Sequence, residues 1–232
     1  MKDTQLEQPV ILYEDNHIIV VLKPQMVASC PDESGDDNLL DSVKRYIKTA
    51  YQKQGNVFLG LVHRLDRPTG GVMVFAKTSK AAARLSDQIK NGGFEKRYLC
   101  VLSAIPTVKK ATLENYLRKS TVNNSVYVCT QTEEGAKFAS LDYEVREEKG
   151  NLALTEVRLH TGRTHQIRVQ MAAIGCPLYG DMRYGGDKAV KGRLALWAYY
   201  LSFTHPVTGE KMIFKIEPPK DTDVWKLFTI EV

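Results

Sequence analysis

The stretch His63-Arg64-Leu65-Asp66-Arg67-Pro68-Thr69-Gly70-Gly71 stands between two apolar runs, 57–62 and 72–76. Short apolar runs bounded by glycine and proline predict buried strands. A tip carrying two arginines around one aspartate is therefore set against a core, whatever the rest of the chain does. Charges held beside a core are either paired or put to use. The residues alone leave both readings open. One is an Arg–Asp pair that ties down a loop; the other is a carboxylate tuned for reaction.

The remaining pattern is a series of hairpins with a few helices between them. Residues 10–13 and 18–22 are apolar and β-branched around Glu14-Asp15-Asn16, which predicts two strands and a turn. Leu39, Leu40, Val43, Tyr46, Ile47, Ala50 and Tyr51 recur at helical spacing, with Asp37 or Asn38 as cap and Gly55 as stop. Tyr46 and Tyr51 read as core edge. After the charged tip, Thr78 or Ser79 caps a helix whose apolar face is Ala82, Leu85 and Ile89, ended by Asn91-Gly92-Gly93. Residues 95–105 alternate as a strand with Tyr98, Cys100 and Leu102 on one face.

Two hairpins follow: 111–119 with 126–130 around Asn123-Asn124, and 137–146 with 152–160 around Lys149-Gly150-Asn151. In 161–168, Gly162 makes a turn, and Thr164 can cap a helix that carries Ile167, Met171 and Ile174 inward to a stop at Gly175 and Pro177. Strands at 194–203 and 211–216 and a tail at 224–230, read as a short helix, close the chain. This order predicts an α+β fold. With 232 residues and no repeat or linker, a single domain over 1–232 is expected.

Composition excludes several classes. Lys plus Arg is 32 and Asp plus Glu 27, a net charge of +5 that permits RNA as a partner without demanding it. Cys30, Cys100, Cys129 and Cys176 show no CxxC spacing, which argues against a zinc site or a disulfide framework and suits a reducing compartment. The first residues lack the layout of a signal peptide, and no apolar run approaches membrane-spanning length, so a cytoplasmic location and no membrane partner are expected.

His160 and His165 do not share a helix face, because Gly162 lies between them, and His63 has no carboxylate at a ligand-like offset; no metal site is expected. Residues 71–78 mimic a phosphate loop but lack its second glycine and run through Val-Met-Val-Phe, so a nucleotide hydrolase is not expected. Basic residues at Lys109-Lys110, Arg118-Lys119, Arg183, Lys188, Lys191 and Arg193 suit phosphate contacts and equally suit a solvated surface.

Taken together, His63-Arg64-Leu65-Asp66, Thr69 and the strand ending in Ala76-Lys77-Thr78 resemble the signature of RNA pseudouridine synthases of the RluA type. Lys96-Arg97-Tyr98 is similar to that family's K-x-Y motif. Gly162-Arg163-Thr164-His165-Gln166-Ile167-Arg168 is similar to its third motif. Residues 175–185, the turn before Gly209, and the opening Tyr-Glu-Asp-Asn-His with Lys23-Pro24 extend the resemblance over nearly the whole chain.

The resemblance implies a mixed, mainly antiparallel sheet with flanking helices and a central cleft, and an isomerase that turns uridine in RNA into pseudouridine. It makes ribosomal RNA the first substrate expected and transfer RNA the second. It implies Asp66 as catalytic aspartate, paired by Arg168, and Tyr98 against the target base. Arg64, His63, Arg163, Thr164 and His165 would line the substrate. No cofactor or metal is implied, and a monomer is expected. Gly70, Gln170 and Trp197 stand where serine, histidine and histidine are common in the family, which bears on the shape of the site. Only about ten residues precede the first strand, too few for a separate RNA-binding module, so the catalytic domain is expected to supply the RNA contacts. Two other classes stay in view. A binding protein without the chemistry would lack one of these groups. A sugar hydrolase would want a second carboxylate in the key loops.

Overall fold

The structure is a computed structural model and describes residue 6 and residues 8–122, 125–220 and 224–232. The chain forms two compact units, Met1–Glu95 with Tyr200–Ile216 and Lys96–Tyr199 with Glu217–Val232. The sequence carries no composition break at these boundaries, because the crossing at 199/200 falls inside a strand.

In the first unit, β1 (Val10–Glu14) and β2 (Ile18–Lys23) form the expected hairpin. Strand β2 pairs antiparallel with β4 (Gly70–Ala76), whose residues are all buried. Ile18, Val20, Val72, Val74 and Ala76 pack with Ala81 and Leu85 of α2 (Ser79–Lys90) and with Phe94, Leu201 and Phe203. The alternate residues Ile19, Val21, Met73 and Phe75 are equally buried. Both strand faces are thus covered, which is why the sequence there is a continuous apolar run and not an alternating one.

Helix α1 (Leu39–Ala50) is capped by Asn38, whose Oδ1 accepts from the Asp41 N–H at 3.0 Å. It ends before the expected Gly55, through Tyr51 and a left-handed Gln52. Tyr46 and Tyr51 both donate their hydroxyls to Glu14, so they tie α1 to β1. Thr78 caps α2 through the Ala81 N–H.

The run 57–62 does not form the strand expected of it; only β3 (Gly60–Leu61) pairs with β4. Phe58 is 52% exposed, and a Cβ at Gly60 would lie 2.9 Å from that of Ala82. A short ladder with β4 and close approach to α2 at Gly60 hold the segment.

The second unit contains β5 (Glu95–Leu102, bar its first residue), β6 (Lys110–Lys119), β7 (Val126–Cys129), β8 (Lys137–Lys149) and β9 (Leu152–Leu159), in the order β5-β9-β8-β6-β7. All these pairings are antiparallel. The turn expected at Asn123-Asn124 lies outside the described residues. Strand β8 outruns its expected end at 146 by means of a bulge between Val145 and Glu147. Leu117, Val126 and Ala139 pack with Val169 of α3 (Gln166–Ala173).

Thr164 does not cap α3. His165 holds the N-cap place in left-handed backbone (φ 53°) with no side-chain cap bond. The turn is closed instead by Gln166, whose Oε1 accepts from Thr161 Oγ1 at 2.7 Å and from the Arg163 N–H at 3.0 Å. Ile167 and Met171 point inward as expected, whereas Ile174 is 38% exposed because the helix stops one residue before it. Strand β10 (Leu196–Thr204) carries the chain from the second unit into the first, where it pairs with β11 (Lys211–Lys215). The tail forms only a 3-10 turn at Trp225–Leu227. The fold class is therefore α+β with a mainly antiparallel sheet.

Candidate active site

Several of the bonds that fasten the loop after β3 are made by its main chain. The Leu65 side chain is buried, and its N–H and C=O both bond Ser29 Oγ, at 3.1 and 2.7 Å. The Thr69 N–H donates to the Asp66 carbonyl at 2.9 Å, closing a turn around Pro68. Beneath that turn lies Lys23, with no exposed surface. Its ammonium donates to the carbonyls of Pro24 (3.0 Å), Arg67 (3.1 Å) and Thr69 (2.6 Å). Gln25 adds a bond from Nε2 to the Pro68 carbonyl at 3.1 Å. Half-buried Asp66 thus stands on a backbone gripped from two sides.

The neighbouring charges sort themselves differently from what their spacing suggests. Arg67 forks onto Asp32 and Asp36 at 2.8 and 2.6 Å, drawn to an acidic loop rather than to Asp66. Arg64 is exposed. His63 accepts the Val74 N–H on Nε2 at 3.1 Å and sets its ring edge against Phe94, so it locks the loop to β4.

Burial drives the Lys23 ammonium from its ordinary 10.5 down to about 7; the Asp66 charge opposes that shift and the Arg67 charge adds to it. The sign of the resulting pH dependence follows from proton counts. Between about pH 7 and 10.5 the unfolded chain holds a proton on Lys23 that the folded chain lacks, so stability rises with pH across that window and is flat below it. Denaturant unfolding across the window is expected to show this slope in the wild type and to lose it in Lys23→Met. An unchanged slope in the variant would remove Lys23 from the account.

In the second unit, Tyr98 lies on β5 opposite Val157, 6% exposed, with Lys96 two residues earlier on the same face. Lys96 is largely buried, and burial lowers its ammonium. A Cβ on Gly162 would come within 3.3 Å of Lys96 Nζ. The K-x-Y motif and the Gly162 turn, far apart in sequence, therefore meet in space. Arg168 is buried on α3 and forks onto Asp181, Nε to Oδ2 at 2.7 Å and Nη2 to Oδ1 at 2.8 Å. Burial alone would raise the Asp181 carboxyl, but Arg168 and the N–H groups of Tyr184 and Arg183 bring it below the ordinary value.

His165 Nδ1 lies 2.7 Å from the Tyr184 hydroxyl, which accepts the Val126 N–H at 2.9 Å. Exposed Arg163 donates from Nε to the Phe138 carbonyl, and Thr164 is half-buried.

Of the residues singled out in the sequence, His63, Arg64 and Asp66 belong to the first unit and Tyr98, Arg163, Thr164, His165 and Arg168 to the second. Asp181, Tyr184 and the burial of Lys23 were not foreseen, although the Gly-Asp and Lys-Pro pairs that carry two of them stand in the stretches that resemble the family. Gln170, one of the three departures, is fully buried and donates to the Leu113 carbonyl and Asn115 Oδ1. Trp197 and Gly70 are buried in β10 and β4. Among the described residues, no three His, Cys, Asp or Glu side chains gather to hold a metal ion, and no helix is long and apolar enough to cross a membrane.

Residues 17–173 match the RNA pseudouridylate synthase family. The chain belongs to that family and is an RNA pseudouridine synthase, an isomerase. It is 36% identical over 225 residues to the RNA pseudouridine synthase YjbO of Bacillus subtilis, covering 95% of this chain and 77% of that one. It is 34% identical to the ribosomal large subunit pseudouridine synthase D of Zymomonas mobilis, over 91% of this chain and 69% of that one. Its fold is shared with the human RNA pseudouridylate synthase domain containing 4, with TM-score 0.75 and 22% identity over 91% of this chain and 89% of that one.

Proposed function

We propose that this enzyme isomerises uridine in large-subunit ribosomal RNA, with the Asp66 carboxylate acting on the ribose. The substrate rests on one observation: relatives at about a third identity over nine tenths of the chain carry the name ribosomal large subunit pseudouridine synthase. The chemistry rests on the Asp66 loop, whose backbone is fixed before any substrate arrives.

In this reading the N1–C1′ bond breaks, the uracil turns, and C5 joins C1′; the C5 proton leaves and N1 gains one, so the atoms balance without an acceptor. The carboxylate either attacks C1′, as a glycosidase nucleophile does, or takes the C2′ proton. Tyr98 lies against the base and assists at C5. The target uridine leaves its stack first, at a cost of a few kcal/mol.

The test is pseudouridine mapping in total RNA from cells with and without the gene. Loss of one or more large-subunit sites is expected. Loss confined to transfer RNA would overturn the substrate assignment.

A further inference from the structure

Among the described residues, three that are not glycine have left-handed backbone: Met26 (φ 65°), Gln52 (φ 48°) and His165 (φ 53°). Gln52 lies just past the end of α1, where this conformation is the ordinary way out of a helix. His165 stands at the N-cap of α3 inside a motif already described. Met26 has neither explanation. It occupies the Gln25-Met26 turn, a place glycine fills without strain and a side chain does not. Its side chain gains nothing from the core in exchange, since the residue is 61% exposed. Strain held without packing in return marks positions used for something other than stability.

The turn's position says what that use is. Lys23 bonds the Pro24, Arg67 and Thr69 carbonyls, Gln25 bonds the Pro68 carbonyl, and Ser29 bonds Leu65. Residues 23–29 are thereby laced to the loop that carries Asp66, and Met26 is the exposed apolar residue at their bend. An extruded nucleotide leaves a gap in its stack. Apolar side chains fill such gaps, and an unbranched thioether adapts to the bases on either side.

We propose that Met26 is an RNA wedge: its side chain occupies the stack beside the target uridine and holds that nucleotide out for Asp66. This rests on the function proposed above. Full-length enzyme is assayed by tritium release from transcribed large-subunit ribosomal RNA labelled at uridine C5. The RNA is used both folded in magnesium and denatured without it.

Met26→Gly is expected to slow release from folded RNA about tenfold or more and from unfolded RNA less than about twofold, because the wedge matters only where extrusion is opposed. Met26→Leu, which keeps an apolar side chain, should retain most of the rate on folded RNA. The thermal midpoint of Met26→Gly should equal or exceed that of the wild type as the strain is relieved. Wild-type rates for Met26→Gly on folded RNA, an equal loss on both RNAs, or a lowered midpoint would each overturn the wedge. Those results leave the proposed function standing so long as the wild type releases tritium. A wild type that releases none from either RNA overturns both.

Discussion

Asp66→Asn is expected to abolish tritium release from RNA labelled at uridine C5 while RNA binding, read by gel shift, stays within a few-fold of wild type. Asparagine matches aspartate in size and differs in its charge and basicity. Main-chain bonds that shape the loop run through the Asp66, Arg67, Pro68 and Thr69 carbonyls and the Leu65 main chain, none of which the substitution removes. The variant should therefore fold with its loop in place. What disappears is a carboxylate able to attack C1′ or take the C2′ proton, and losing a reacting group costs about three orders of magnitude or more.

A second readout separates chemistry from misfolding. The Asp66 charge raises the Lys23 ammonium against the pull of burial, so its removal should move the Lys23 titration further below about 7. Carbon-13 shifts of the lysine side chain report that titration. Release equal to wild type would take Asp66 out of the reaction. An unmoved Lys23 would show that the two charges do not feel one another.

How much of this was legible in the sequence depends on whether the deciding force was local. Asn38 and Thr78 were readable as caps because a cap is a contact made within three residues. Strands β2 and β4 were readable because burial on both faces leaves an unbroken apolar run. The run 57–62 has a similar composition, yet only Gly60 and Leu61 pair with β4, and Gly60 also packs close to Ala82 of α2. Thr164 has the chemistry of a cap, but the turn is closed by Gln166 reaching back to Thr161, a choice no propensity encodes.

The charges around Asp66 were misleading for the same reason. Arg67 is its sequence neighbour, but the carboxylates that take Arg67 come from residues 32 and 36. Asp181 was invisible as a partner for Arg168 because it stands thirteen positions further on, past a helix end, although a buried arginine on α3 demands a carboxylate from somewhere.

That demand sets the largest stability effect to be expected. The Arg168 and Asp181 side chains are 8% and 0% exposed, and the guanidinium lies 5.0 Å from the centre of the Tyr184 ring. Asp181→Ala would remove the carboxylate that this buried charge forks onto, and breaking a buried pair costs about 3–5 kcal/mol. For a chain of this length that corresponds to a fall of roughly 10 °C in thermal midpoint.

The cost has a second component. Asp181 Oδ1 also accepts the Arg183 and Tyr184 N–H groups, so the turn that presents Tyr184 to His165 loosens with it. Converting the pair to Arg168→Met with Asp181→Leu removes the buried charge and recovers most of the loss. It does not recover the two orphaned amides, worth about 1 kcal/mol each. The double variant should therefore unfold between the wild type and Asp181→Ala.

The pH dependence carries the same sign. Because the folded-state Asp181 carboxyl is lowered from 3.8, its contribution is present above that value and lost as pH falls below it. Asp181→Ala should lose less stability than the wild type between neutral and strongly acidic pH. A midpoint for Asp181→Ala equal to wild type at neutral pH would show that Arg168 does not depend on this carboxylate for its place in the helix.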